Sequence, residues 1–179
     1  MTKTEQVYGG SLYDLAKEEK VTGEILTQLG QVIDLFDANP DYWRFLSTLS
    51  IPKKDRCDAL DQALRNSIHP YLLNFMKILS DNGTMSQLKG CAREYRARYN
   101  EDNGIVEVRA KTAVPMKAEL QEKLQAKLQS VLGKTVELTC RVDPACIGGV
   151  LLEMPGKQLD GTVKHRLDAL SQSLQNVAL

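Results

Sequence analysis

The chain has 179 residues, of which 42% are hydrophobic and 26% are charged, as is ordinary for a soluble globular protein. Its 23 basic and 23 acidic side chains cancel, so the net charge provides no general attraction to nucleic acid or acidic lipid. The first residues lack the apolar core of a signal peptide, and no run approaches the roughly 20 apolar residues that cross a bilayer. We therefore expect one full-sized soluble domain or two small ones.

Apolar residues recur with helical spacing from about Glu5 to Asn103, and the pattern predicts six helices. Thr22 is placed to cap the second helix. Three more helices are expected to start at a dipeptide that ends in proline, because the fixed φ of proline suits the first helical turn. These dipeptides are Asn39-Pro40, Ile51-Pro52 and His69-Pro70. Short turns between the helices predict an antiparallel bundle over residues 1–103.

The first helix is expected to carry one apolar stripe. The stripe consists of Val7, Tyr8, Leu12, Leu15 and Ala16.

The spacing changes at Asn103-Gly104, where apolar and polar residues begin to alternate. Strands are predicted over 105–110, 136–142 and 147–154. A helix from Pro115 to Gly133 should separate the first two strands, and a last helix should follow Thr162. The apolar side of the Pro115 helix is expected to hold Leu120, Leu124, Leu128, Val131 and Leu132. The predicted class is α+β, with a β-α-β-β-α module over residues 104–179 whose core is thin.

Neither metal-binding nor catalytic spacing is present in the sequence, so we expect no cofactor. The four cysteines are Cys57, Cys91, Cys140 and Cys146, and none forms a C-x-x-C pair. They are expected to be free thiols. A Cys140–Cys146 bridge is disfavoured, because strands pairing around the turn between them would not place the two residues opposite each other. Of the two histidines, His69 is expected to cap a helix or face solvent, and His165 to face a partner.

The sixth helix keeps a nucleic-acid-binding adaptor open as an alternative. Its basic residues are Lys89, Arg93, Arg96 and Arg98. Acidic residues alternate with them, however, which favours an ordinary solvated face. Tyr95 and Tyr99 could stack on bases, but tyrosines spaced by four residues are more typical of a bundle core.

The most distinctive stretch runs from Ile147 to Leu170 and contains no acid–base pair. Gly148 and Gly149 open an apolar strand, where glycine marks a bulge or the close approach of another backbone. After a turn at Pro155-Gly156, the segment Asp160-Gly161-Thr162 can accept hydrogen bonds from the free amides of a helix start. The stretch therefore predicts a rigid scaffold that orients a helix.

This stretch resembles the delta subunits of F-type ATP synthases, the bacterial and chloroplast counterparts of the mitochondrial oligomycin-sensitivity-conferring protein. The family pattern is a Gly-Gly strand, a turn and then Asp-Gly-(Ser/Thr)-Val-x-x-(Arg/Lys)-Leu-x-x-Leu. Residues Tyr8 to Ala16 resemble the family's first helix, with Gly9 and Gly10 where alanine is usual. Leu79 to Gly83 resembles its mid-chain helix end, so the resemblance covers essentially the whole chain.

The resemblance implies a non-catalytic stator in the peripheral stalk, which keeps proton flow coupled to ATP synthesis. Residues 1–103 are implied to bind the N-terminal helix of an alpha subunit in a groove between the first and fifth helices. The groove residues are expected to be Tyr8, Ser11, Leu12 and Ile78.

Residues 104–179 are implied to bind the C-terminal ends of the b subunits. Five residues are expected to shape this module rather than touch b: Gly148, Gly149, Asp160, Gly161 and Arg166. One copy of the chain is expected in the complex, with no nucleic acid. It should be peripheral to the cytoplasmic face of a bacterial membrane or the stromal face of a thylakoid.

Overall fold

The computed structural model describes residues 2–163 and residue 165, except for the side chain of Ala145. The described residues form seven α-helices and a four-stranded sheet, so the α+β class is confirmed. The chain divides into two compact units, Met1–Asn100 and Glu101–Leu179, which are called the helical unit and the α/β unit. None of the described helices is long and apolar enough to cross a membrane.

Six helices precede the first strand. They are α1 (Lys3–Glu18), α2 (Thr22–Ala38), α3 (Pro40–Ser47), α4 (Lys53–Leu64), α5 (Pro70–Asp81) and α6 (Leu88–Asp102). A 3-10 turn at Met85–Gln87 leads into α6.

One continuous core fills the helical unit, and Tyr95 is the largest of its fully buried side chains. The Tyr95 hydroxyl donates a hydrogen bond to the backbone carbonyl of Thr22 at 2.9 Å. Burial raises the pKa of this hydroxyl above its ordinary value. Tyr95 is therefore a core residue with a satisfied polar end, and it offers no ring for stacking on a base.

The helix starts agree only in part with the sequence. Proline does occupy the first turn of α3 and of α5. His69 caps α5, because its Nδ1 accepts from the amide of Tyr71 at 3.3 Å. The expected Thr22 cap is wrong, since Thr22 is already the first helical residue and Val21 provides no side-chain acceptor. Asn39 also makes no cap for α3; its side-chain amide donates back to the Leu35 carbonyl at 2.9 Å.

A buried arginine connects α4 to α5. Arg56 donates to the backbone carbonyl of Ile51 at 3.2 Å and to both the hydroxyl and the carbonyl of Ser80. The Ser80 hydroxyl in turn donates to the Leu46 carbonyl at 3.0 Å. The guanidinium thus donates to the Ile51 carbonyl, and it adds a donor to the Ser80 carbonyl, which also accepts from the Gly83 amide at 3.2 Å.

The α/β unit contains β1 (Ile105–Thr112), α7 (Ala118–Leu132), β2 (Thr135–Val142), β3 (Val150–Met154) and β4 (Lys157–Asp160). The sheet order is β2-β1-β3-β4, parallel between β1 and β2 and antiparallel elsewhere. The helix α7 crosses over between the parallel strands and packs on one face, as such connections require. Gly133 ends α7 in the left-handed region, with φ +63.

Several details of this unit differ from the predictions. Residues 157–160 form the edge strand β4 rather than part of a turn, because they pair with β3. The helix α7 begins at Ala118, three residues after Pro115, and Leu120 and Val131 face solvent, with Val131 74% exposed.

The strand β3 pairs with β1 rather than with β2, so Cys140 and Cys146 do not lie opposite each other on paired strands. All four cysteines are free thiols, as expected. The predicted last helix lies almost entirely outside the described residues.

Candidate partner-binding surfaces

The helices α1 and α5 lie side by side, antiparallel, and are bonded near both ends. At one end the side-chain amide of Asn82 donates to the Tyr8 hydroxyl at 3.0 Å. At the other end the Tyr71 hydroxyl bonds to the Glu19 carboxylate. The negative charge of Glu19 and this hydrogen bond raise the pKa of Tyr71 above its ordinary value. These two pairs hold the helices in a defined register.

Next to these pairs lies an exposed strip of side chains. It is called the α1/α5 strip and consists of Val7, Ser11 and Leu15 on α1 and Ile78 on α5. Of its apolar members, Val7 is 56% exposed, Leu15 is 38% exposed and Ile78 is 48% exposed. The spacing of four residues places the α1 members along one helix face. Each Å² of this apolar surface that a partner covers contributes about 25 cal/mol, so the strip is a favourable docking site.

The four expected groove residues differ in their exposure to solvent. Ser11 and Ile78 are exposed in the strip, and the partly buried Tyr8 forms its edge. Leu12, in contrast, is only 4% exposed and belongs to the core beneath it. Val7 and Leu15 share an apolar stripe with Leu12 in the sequence, but both are exposed. Each lies four residues from the polar Ser11, and this spacing is the signal in the sequence that could have predicted their exposure.

The contact between α1 and α6 explains the two glycines of the first helix. A Cβ on Gly9 would lie 2.5 Å from the carbonyl oxygen of Cys91, and a Cβ on Gly10 would overlap the Arg98 guanidinium. Each glycine costs the isolated helix roughly 0.5–1 kcal/mol relative to alanine. Here the cost is offset because α1 approaches α6 more closely than alanine would allow.

Two basic side chains of α6 are paired within the helical unit. Lys89 contacts the Asp37 carboxylate at 2.7 Å, and Arg98 contacts Asp14 at 3.2 Å and Glu94 at 3.1 Å. These pairs neutralise half of the basic residues that had suggested a nucleic-acid surface. Among the described residues, no group of three histidine, cysteine or acidic side chains could hold a metal ion.

The α/β unit exposes aliphatic side chains at one end of its sheet. The register places the ends of β1, β2 and β4 beside the start of β3. The exposed residues there are Val114, Val142, Ile147 and Val163, which are called the sheet-end patch. Ile147 has φ +59, an uncommon conformation for a β-branched residue, and its side chain is 68% exposed. The exposed basic residues Lys117 and Arg141 lie at the same end.

Backbone hydrogen bonds join the two ends of the segment from Gly148 to Val163, which lies beside this patch. The Val163 amide donates to the Gly148 carbonyl at 2.9 Å, and the Gly161 amide donates to the Val150 carbonyl at 3.0 Å. A Cβ on Gly149, which has φ +86, would lie 2.9 Å from the Thr162 Cα and would overlap the Gly161 carbonyl oxygen. Glycine at 149 therefore permits the close approach of another backbone.

The Asp-Gly-Thr segment forms a cap. Asp160 Oδ1 accepts from the Thr162 amide at 2.9 Å, and Thr162 Oγ1 accepts from the His165 amide at 3.2 Å. Hydrogen bonds from the Thr162 side chain and backbone lower the pKa of Asp160. Asp160, like the three glycines of the motif, shapes the backbone here. Arg166 lies outside the described residues.

Comparison with known proteins decides the family. Residues 4–174 match the family described as ATP synthase delta (OSCP) subunit. The chain belongs to this family. It is 30% identical over 170 residues to ATP synthase subunit delta of Alkaliphilus oremlandii, covering 95% of this chain and 94% of that protein. The delta subunit of Clostridioides difficile is 28% identical over 171 residues, with the same coverage of 95% and 94%.

A solved structure shows the same fold. A chain in the mitochondrial ATP synthase hexamer of Toxoplasma gondii superposes with a TM-score of 0.75 at 21% identity, covering 97% of this chain and 98% of that one.

Delta subunits are structural rather than catalytic parts of ATP synthase. This chain is therefore a non-catalytic peripheral-stalk subunit of a membrane-associated complex that serves ATP synthesis and ion transport. The nucleic-acid-binding adaptor has no support from these relatives.

Proposed function

We propose that the α1/α5 strip binds the N-terminal helix of an alpha subunit and so attaches the catalytic headpiece to the stalk. The observation that supports this is the exposed apolar strip beside two antiparallel helices that are bonded at both ends. An amphipathic helix binds such a surface through apolar residues spaced by three or four positions. The subunit then acts by tight binding and stiffness, as one copy in the complex.

The binding of a synthetic peptide with the sequence of the alpha N-terminal helix tests this proposal, measured by titration calorimetry. Ile78→Asp and Leu15→Asp place a charge in the strip and should weaken binding at least about tenfold, or about 1.4 kcal/mol. Val131→Asp, on the exposed side of α7, is the matched control and should leave the affinity unchanged. Unchanged affinity in both strip variants would refute the assignment of the strip.

We propose further that the α/β unit binds the C-terminal ends of the b subunits through the sheet-end patch. Four exposed aliphatic side chains support an apolar contact, and the exposed cations Lys117 and Arg141 suit a helix end that carries carboxylates. A chain terminus itself supplies one such carboxylate.

Co-purification from detergent-solubilised membranes tests the second contact. Val142→Asp and Ile147→Asp should release the b subunits while the alpha and beta subunits remain bound. Deletion of residues 147–179 should have the same effect and should uncouple ATP hydrolysis from the membrane sector. Retention of b by both point variants would exclude the patch as its binding site.

We also propose that the subunit lies on the cytoplasmic face of a bacterial membrane. The bacterial sources of its relatives support this location. Protease added to inverted vesicles should then cleave the subunit, whereas right-side-out vesicles should protect it. Cleavage only in right-side-out vesicles would place it on the opposite face.

A further inference from the structure

The helix α1 carries three of the four side chains of the α1/α5 strip. A rotation of α1 about its axis, or a shift away from α5, would therefore change the spacing between Leu15 and Ile78. What holds α1 in place on its other sides thus controls the geometry of the strip. Its contact with α6 leaves no room for a Cβ on Gly9 or Gly10.

Glycines from both helices form this contact. Gly9 lies against the backbone carbonyl of Cys91, and Gly10 lies under the Arg98 side chain. From α6, Gly90 faces the Glu5 carboxylate, which also accepts from the Thr2 amide at 2.7 Å in the capping box of α1. With no Cβ between them, the helices can adopt few alternative separations or rotations.

Arg98 adds a directional restraint. Its Nη1 lies 3.2 Å from Asp14 Oδ1 and 3.3 Å from Asp14 Oδ2, while its Nε donates to Glu94 at 3.1 Å. The guanidinium therefore reaches from α6 across Gly10 to the next turn of α1. That turn also carries Ser11 and Leu15, so the ion pair acts on the part of α1 that forms the strip.

We propose that Gly9, Gly10 and Arg98 are positioning residues, which set the rotation and height of α1 and thereby the affinity of the strip for its partner helix. Gly9 and Gly10 do this without contacting the partner, because both are buried against α6. The inference rests on the proposed binding of the alpha N-terminal helix to the strip.

A double-mutant cycle tests the positioning role. Gly10→Ala introduces a methyl group against the guanidinium and should weaken peptide binding about five- to tenfold. Arg98→Ala removes both ion pairs and should weaken it about threefold. In the double variant the methyl group occupies the space that the guanidinium leaves, so its affinity should equal that of Arg98→Ala alone.

Two controls separate positioning from general damage to the fold. In Gly9→Ala the new methyl group meets the Cys91 carbonyl and the Glu94 Cβ rather than the Arg98 side chain, so Arg98→Ala should not rescue it. Gly30→Ala in α2 has no atom within 4 Å of the new methyl group and should leave the affinity unchanged. Thermal unfolding of each variant shows whether the protein remains folded at the temperature of the titration.

Methyl NMR spectra test the same point without the peptide. The signals of Val7, Leu15 and Ile78 should shift in Gly10→Ala and return in the double variant to their Arg98→Ala positions. Additive effects in the cycle, or unmoved methyl signals in Gly10→Ala, would overturn the positioning role. If the wild-type protein fails to bind the peptide, the proposed partner is refuted. If the variants then still show the predicted methyl shifts, the positioning of α1 remains supported.

Discussion

The helical unit and the α/β unit bury their apolar surface in different ways. In the helical unit a single core contains side chains from all six helices, and Leu72 and Met76 are among those fully buried. In the described part of the α/β unit the sheet core has three buried members, Val108, Leu128 and Val136. The first unit is stabilised mainly by side-chain packing, whereas the second depends on strand pairing and a close backbone approach. Different substitutions should therefore damage each.

The largest effect should come from truncation of the helical core. Leu72→Ala leaves a cavity in a fully buried site and should lower the free energy of unfolding by about 3–4 kcal/mol. Trp43, the only tryptophan, lies in α3 and contacts Phe36, so its fluorescence reports on the helical unit. The urea concentration at the midpoint of unfolding, measured by Trp43 fluorescence, should fall in Leu72→Ala and stay unchanged in Leu128→Ala. An equal fall in both would show that the units unfold together.

A second large effect is expected at the buried arginine of the helical unit. Arg56→Ala leaves the Ile51 carbonyl without its charged donor and removes the hydrogen bonds to the Ser80 hydroxyl and carbonyl, which should cost about 3 kcal/mol. Arg44→Ala is the matched control, since the pair of Arg44 with Asp41 is highly exposed and should contribute less than about 0.5 kcal/mol. The same urea titration measures both variants. Similar midpoints for the two would contradict a structural role for Arg56.

In the α/β unit the most sensitive position should be a glycine. Gly149→Ala combines a positive φ with a backbone clash and should cost about 2 kcal/mol or more. Gly156→Ala shares the positive φ, +73, but meets no atom within 4 Å, so it should cost only about 1 kcal/mol. Hydrogen exchange at the β3 amides should accelerate much more in the first variant. Equal acceleration would mean that backbone conformation alone, without the close approach, matters there.

The smallest effect concerns the thiol of the helical unit. Burial raises the pKa of Cys91 from the ordinary value of 9.0 to about 11. Its thiolate fraction at pH 8 is then about 100-fold lower than that of a free cysteine, and iodoacetamide should react correspondingly slowly. The native thiol holds its proton more tightly than the unfolded one. The stability from this group is therefore complete below pH 9 and declines as the pH rises towards 11. Rapid alkylation of the folded protein at pH 8 would contradict this.

Local chemistry explains which expectations the structure bears out. Pro40 and Pro70 begin helices, Gly133 ends one, and Thr162 accepts from the His165 amide, because each acts on neighbours within four residues. The Asp-Gly-Thr segment and the Gly-Gly pair also indicate the delta-subunit family from the sequence alone.

Errors arose where a residue's environment depends on distant parts of the chain. Val7 and Leu15 share the helical stripe of Leu12, and periodicity cannot tell which of them α5 covers. Leu120 and Val131 share the apolar side of α7 with the buried Leu128, yet both are exposed, and periodicity does not distinguish them. The strand β4 was missed because its four residues are all exposed and are held only by pairing with β3.

The helix starts at Pro40 and Pro70, the helix end at Gly133, the α+β class and the family can thus be predicted from the sequence, since they follow from short-range preferences and from a recognisable motif. The exposed strip, the buried Arg56, and the contact of Gly9 and Gly10 with α6 are visible only in the folded protein. Each of these features depends on contacts between residues more than 20 positions apart in the sequence, and a local sequence pattern does not predict such contacts.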